Sequence, residues 1–195
     1  AYQCGQISVL QAFIDDCKLM LSDRNDIKLI GNVSFPSGSD STELKLIQAR
    51  QMVQQGCDEI DMVININWMK SGMYSHVQHE IEMVRKVIGL LPLKVIIEVS
   101  CLTDPEIKTA STMCVEAGAS YIKTGTGWKG PTTLEHVRLI KATVGDSVPI
   151  KVSGGIKTLD VLLRMYQAGA TRFGVNLEGG IHILEESVLR NMSRS

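Results

Sequence analysis

Seven short apolar runs recur along the chain, and between them lie longer stretches whose apolar positions return at helical spacing. The runs predict strands near Gln6–Val9, Ile27–Ser34, Glu59–Asn65, Leu93–Glu98, Ser120–Thr124, Pro149–Ser153 and Thr171–Asn176. Most are continuously apolar, as parallel strands covered on both faces are. The intervening helices have legible ends. Thr103-Asp104-Pro105-Glu106 reads as a capping box with proline in the first turn, and Thr132 with Glu135 reads as a second box. Helices stop at glycine in Gln55-Gly56-Cys57, Ala117-Gly118-Ala119 and Ala168-Gly169-Ala170, with a strand soon after each.

Repeated strand–helix units predict an α/β fold, and a (β/α)8 barrel is favoured over an open doubly wound sheet. Polar residues suited to chemistry fall on or after several strands from Asp61 onward, whereas an open sheet gathers its site at one switch point. A closed barrel needs eight strands, so the first βα unit is expected to be absent from this chain, ahead of Ala1. Residues 1–195 read as one barrel domain without linkers or low-complexity segments.

Composition narrows the function. A net charge of −1 provides no basic field for nucleic acid, and no apolar stretch is long enough to span a bilayer. The opening Ala1-Tyr2-Gln3-Cys4 lacks the basic and apolar regions of a signal peptide. The five cysteines (Cys4, Cys17, Cys57, Cys101 and Cys114) include no C-x-x-C pair and read as free thiols in the cytoplasm. His76 and His79, with Glu80 and Glu82, match no metal spacing and read as a solvated helix face.

Two lysines carry the chemistry. Lys123 ends an apolar run and leads into Thr124-Gly125-Thr126-Gly127; Lys151 holds the matching place before Ser153-Gly154-Gly155. A buried lysine beside another cation tends to lose its proton, and a neutral amine attacks a carbonyl. Because side chains alternate along a strand, Asp61, Lys94, Glu98, Lys123 and Lys151 are expected to converge inside the barrel. Neutralisation of Lys94 by Glu98 as a structural pair is the competing expectation. Gly125-Thr126-Gly127-Trp128-Lys129-Gly130 fits G-x-G-x-x-G, but no acidic residue ends the following strand. These glycines therefore read as a turn for a small anion, not a dinucleotide.

Several of these stretches together resemble the deoxyribose-phosphate aldolases, class I aldolases on a (β/α)8 barrel. They are Phe35-Pro36-Ser37-Gly38-Ser39-Asp40, Asp58 to Asn65, Leu93 to Glu98, Tyr121 to Gly127, Lys151 to Ile156 and Thr171 to Gly174, in matching order. The resemblance implies Lys123 as the Schiff-base lysine, Lys151 as the lysine that tunes it, and Asp61 as the acid/base residue that relays protons. It further implies Lys94, Thr126, Gly154, Gly155, Gly174 and Asn176 as substrate contacts. The implied reaction is reversible cleavage of 2-deoxy-D-ribose 5-phosphate to acetaldehyde and D-glyceraldehyde 3-phosphate, with no metal or organic cofactor. A sugar phosphate is the expected partner and a homodimer the expected assembly. The chain departs from the family at Gly125, where a serine is usual, and at Gly174-Val175-Asn176, where a hydroxyl-bearing turn is usual. Those departures motivate two alternatives: a lysine aldolase with an unphosphorylated acceptor, or an inactive relative that binds sugar phosphates.

Overall fold

The computed structural model describes residues 4–192, so the signal-peptide reading at residues 1–3 lies outside the described residues. Each apolar run becomes a strand. In chain order the elements are β1 (Gln6–Ser8), α1 (Ile14–Met20), β2 (Lys28–Val33), α2 (Thr42–Gln54), β3 (Glu59–Val63), α3 (Ile66–Lys70), α4 (Tyr74–Val87) and β4 (Leu93–Ile96). They continue with α5 (Asp104–Glu116), β5 (Tyr121–Lys123), α6 (Leu134–Val144), β6 (Ile150–Ser153), α7 (Leu159–Gln167), β7 (Ala170–Gly174) and α8 (Leu177–Met192).

The seven strands form one parallel sheet in sequential order, with β1 and β7 at its ends. The sheet curls strongly. On a flat sheet, strands four places apart stand roughly 19 Å from each other. Here Arg172 of β7 reaches Glu59 of β3 at 3.0 Å. Inward side chains therefore meet across a barrel-like interior, while Ile60, Met62, Val95, Ile122 and Val152 belong to the buried apolar core. Helix α4 shows how that outer layer is built. Val77, Ile81 and Val84 recur at four- and three-residue spacing and are fully buried.

Local signals explain where elements stop. The capping box at Thr103 and Glu106 forms as its sequence predicts. The second box forms one residue later than expected, from Thr133 and His136. Thr132 is unavailable as a cap because its hydroxyl is buried, donating to the Ser153 carbonyl at 2.8 Å and pairing with the Thr124 hydroxyl at 2.7 Å. Most predicted strands end early, two of them where a polar residue has another use. Asn65 leaves β3 to cap α3, accepting from the Trp68 N–H, and Glu98 turns into the left-handed region at φ 55°. No helix among the described residues is long and apolar enough to cross a membrane.

Candidate active site

Asp61 is the second inward residue of β3 and is fully buried beneath three ammonium groups. Its Oδ1 accepts from Lys94 Nζ at 2.7 Å, and its Oδ2 accepts from Lys123 Nζ at 2.7 Å and Lys151 Nζ at 3.2 Å. Strand register sets up this meeting, because Asp61 lies beside Lys94 and Lys123 lies beside Lys151. Lys94 is further paired to Glu59 at 2.6 Å.

The electrostatics follow from this crowding. Burial pushes the Asp61 carboxyl upward, but the charges of Lys123, Lys151 and Lys94 outweigh it and hold the acid well below the usual carboxylate range. Burial pushes the Lys151 ammonium down to about 8; Asp61 opposes that shift, and repulsion from Lys123 and Lys94 adds to it. The sequence reading places the tuned amine at Lys123. The structure brings both amines to one oxygen, Asp61 Oδ2, and the ammonium lowered by burial is that of Lys151.

Above the lysines opens a cavity of about 540 Å³ at the carboxyl ends of the strands. Lys123 and Lys151 form part of its lining, and so do Thr126, Gly154, Gly155, Gly174 and Asn176. Lys94 does not. It is fully buried and set back between Asp61 and Glu59, so its placement makes it a charge beneath the site. Glu98 also stands apart from the lysine cluster. Its left-handed backbone breaks the strand alternation, and its carboxylate accepts from the Thr126 hydroxyl at 2.6 Å and the Thr126 N–H at 3.1 Å. Glu98 thus clamps the turn that follows Lys123. Glycine at 125 is explained by that clamp, since a Cβ there would lie 2.8 Å from Glu98 Oε1.

The far side of the cavity is rich in unspent donors. Among the described residues, the backbone N–H groups of Gly154 and Gly155 donate to no protein acceptor. Gly155 has φ 86° and a Cβ on it would meet Pro131 at 2.8 Å, so the position takes no side chain, and it lines the cavity. Asn176 caps α8, accepting from the Gly179 N–H at 3.0 Å, which aims the helix amino terminus at the same space.

Several lining residues were not singled out from sequence. Asn32 is locked by donating to the Ser8 hydroxyl at 2.9 Å and the Val9 carbonyl at 2.8 Å. Phe35 places its ring 5.9 Å from Lys123 Nζ and meets Trp128 edge-on at 5.8 Å. Ser153 keeps a buried hydroxyl without a partner, and Lys157 is an exposed cation with no ion pair among the described residues. Ser153 had a positional signal, being two residues beyond Lys151 on one strand face, and Phe35 opens one of the stretches that resemble the family. A larger groove of about 790 Å³ between α1 and α2 is lined by four glutamines together with Asp15, Lys18, Leu19 and Ser22 and contains none of the lysine cluster. Among the described residues, no group of three or more His, Cys, Asp or Glu side chains is arranged to hold a metal.

Comparison with known proteins gives a consistent picture. Residues 4–181 match the DeoC/LacD family aldolases. The chain is 44% identical over 157 residues to the deoxyribose-phosphate aldolase of Sinorhizobium medicae, spanning 80% of this chain and 63% of that protein's length. It is 40% identical over 186 residues to the deoxyribose-phosphate aldolase of Coprothermobacter proteolyticus, spanning 95% of this chain and 84% of the relative. Among solved structures, the aldolase QR15 superposes with a TM-score of 0.90 at 35% identity, covering 98% of this chain and 85% of its own.

Proposed function

The chain belongs to the DeoC/LacD family of aldolases, and from that premise we propose that it cleaves 2-deoxy-D-ribose 5-phosphate reversibly through a Schiff base on Lys123. The observation that carries this reading is the meeting of Lys123 and Lys151 on a single oxygen of a buried, ionised Asp61 at the floor of a cavity. Amines held this way exchange protons readily. Neutral Lys151 takes a proton from Lys123 across the shared carboxylate, leaving a Lys123 amine free to attack the C1 aldehyde. Loss of water gives a protonated imine. That imine accepts the electron pair when the C2–C3 bond breaks, while the C3 hydroxyl proton passes to Lys151, whose amine was freed when it gave its proton to the departing water. Reprotonation at C2 and hydrolysis release acetaldehyde. Asp61 has both oxygens occupied by lysines, so its part is to anchor the amines and conduct protons between them.

The phosphate end of the substrate fits the opposite wall. Gly154, Gly155 and Gly174 bring backbone close, Ser153 offers an unpartnered hydroxyl, Asn176 orients the α8 amino terminus, and Lys157 adds an unpaired charge. Thr126 shapes the cavity through its tie to Glu98, and Lys94 acts from beneath. A second reading, an unphosphorylated acceptor, is favoured by one observation: the Gly174-Val175-Asn176 turn carries no hydroxyl. Comparing turnover of deoxyribose 5-phosphate with deoxyribose separates the two, and equal rates would exclude a phosphate-dependent site.

The principal test is borohydride reduction in the presence of acetaldehyde, followed by peptide mapping. A two-carbon label on Lys123 that disappears in Lys123→Leu supports the reading; a label elsewhere or none overturns it. The same proposal takes a sugar phosphate as the small-molecule partner, the cytoplasm as location and a homodimer as assembly, the last checked by light scattering.

A further inference from the structure

The interior polar cluster does not end at Asp61. It continues toward the amino ends of the strands, where Glu59 pairs with Lys94 at 2.6 Å and accepts from Arg172 at 3.0 and 3.2 Å and from Gln6 at 3.2 Å. Arg172 is held there from below as well, its guanidinium carbon 4.3 Å from the Tyr121 ring centroid. The charged groups facing one another are thus Glu59 and Asp61 from β3, Lys94 from β4, Lys123 from β5, Lys151 from β6 and Arg172 from β7. Two carboxylates serve four cations. Their order in space is what matters. Lys94 stands between the carboxylates, bound by Glu59 on one side and by Asp61 Oδ1 on the other, which leaves Asp61 Oδ2 for Lys123 and Lys151.

We propose that Glu59 and Arg172 are positioning residues for the reaction: Glu59 absorbs the charge of Lys94 so that Asp61 stays committed to the Lys123–Lys151 pair, and Arg172 limits how much negative charge Glu59 delivers. Neither residue lines the cavity, so both act through Lys94 and Asp61. The inference rests on Lys123 and Lys151 being the reactive amines. Deleting the Glu59 charge leaves the interior more positive and makes an ammonium on Lys151 harder to keep. Deleting the Arg172 charge does the reverse. Opposite signs from the two partners of one ion pair are a signature that loosened packing does not produce.

The test is competitive labelling with acetic anhydride across pH on the full chain without substrate, with peptide mapping to follow Lys123 and Lys151 separately. Glu59→Gln is expected to move the Lys151 labelling midpoint down by about one pH unit, the scale of a unit charge acting over several ångströms through a protein interior. Arg172→Met is expected to move it up by about half a unit, and Arg172→Lys, which keeps the charge, to leave it in place. Should Glu59→Gln not fold, the two Arg172 variants decide alone. Shifts in one common direction, or none in either charge-deleting variant, overturn the proposal. Acetaldehyde–borohydride trapping on the same samples separates the two readings: trapping without labelling shifts sinks this inference alone, and shifts without trapping sink the aldolase chemistry alone.

Discussion

Two regions of this protein bury a lysine against a carboxylate, and they behave differently. Lys45 of α2 donates to Glu80 of α4 at 2.7 Å and to the Val63 carbonyl at 2.9 Å, while Glu80 also accepts from the Asn65 N–H at 2.6 Å. Both side chains are fully buried, and burial lowers Lys45 and raises Glu80 while each partner's charge resists the change. The charges there balance one to one, and neither residue lines the cavity above Lys123 and Lys151. Around Asp61 three lysines compete for one carboxylate below an open cavity. Balance makes a brace for the end of β3; excess of cations makes an amine that gives up its proton. The ingredients are the same, and stoichiometry with access decides the outcome.

Four substitutions sharpen this contrast. Lys123→Leu is expected to reduce turnover by on the order of 10⁴-fold or more while leaving the fold intact, because it removes the proposed nucleophile. Steady-state kinetics with circular dichroism checks it, and surviving activity would break the assignment. Lys45→Met is expected to do the opposite, costing about 3–5 kcal/mol of stability by stranding the Glu80 charge. Denaturant titration measures this, and adding Glu80→Leu should recover most of the loss. If the double variant stays as unstable as the single one, the pair is not a balanced brace.

Lys151→Met should lower kcat on the order of 10²-fold, the usual worth of a positioned base. It should also remove a limb from the pH profile. The sign follows from the depressed ammonium: Lys151 is charged below about 8 and neutral above it. Activity that needs its neutral amine therefore rises with pH through that value, and the two lysines report as one coupled unit. A pH–rate curve in the variant that keeps the limb would assign it to another group. The smallest effect belongs to the cavity rim. Lys157→Ala is expected to raise KM for deoxyribose 5-phosphate about tenfold with kcat unchanged, since an exposed cation contributes ground-state attraction to a phosphate. Unphosphorylated deoxyribose should show no such change.

Much of the fold could be read from the chain. Continuous apolar runs at Leu93–Ile96 and Ile150–Ser153 require cover on both faces, and glycines at 56, 118 and 169 adopt positive φ where helices end. Boundaries failed where a side chain had a stronger tertiary use. Thr132 was drawn inward to Ser153 and Thr124, and Glu98 left its strand to clamp the Thr126 turn. Both are polar residues whose partners come mainly from other elements or the turns after them, and no local pattern names those partners.

The same division holds for the site. Strand periodicity alone points Asp61, Lys123 and Lys151 inward, because alternation is a local property of an extended chain. Which amine loses its proton affinity, where Lys94 spends its charge, and that Phe35, Ser153 and Lys157 share a cavity depended on the curl of the sheet. Curling brings β3 opposite β7 and sets distances of a few ångströms between charges far apart in sequence. Coulombic and desolvation energies vary steeply over such distances, so the chemistry was decided by packing that the linear order of residues does not contain.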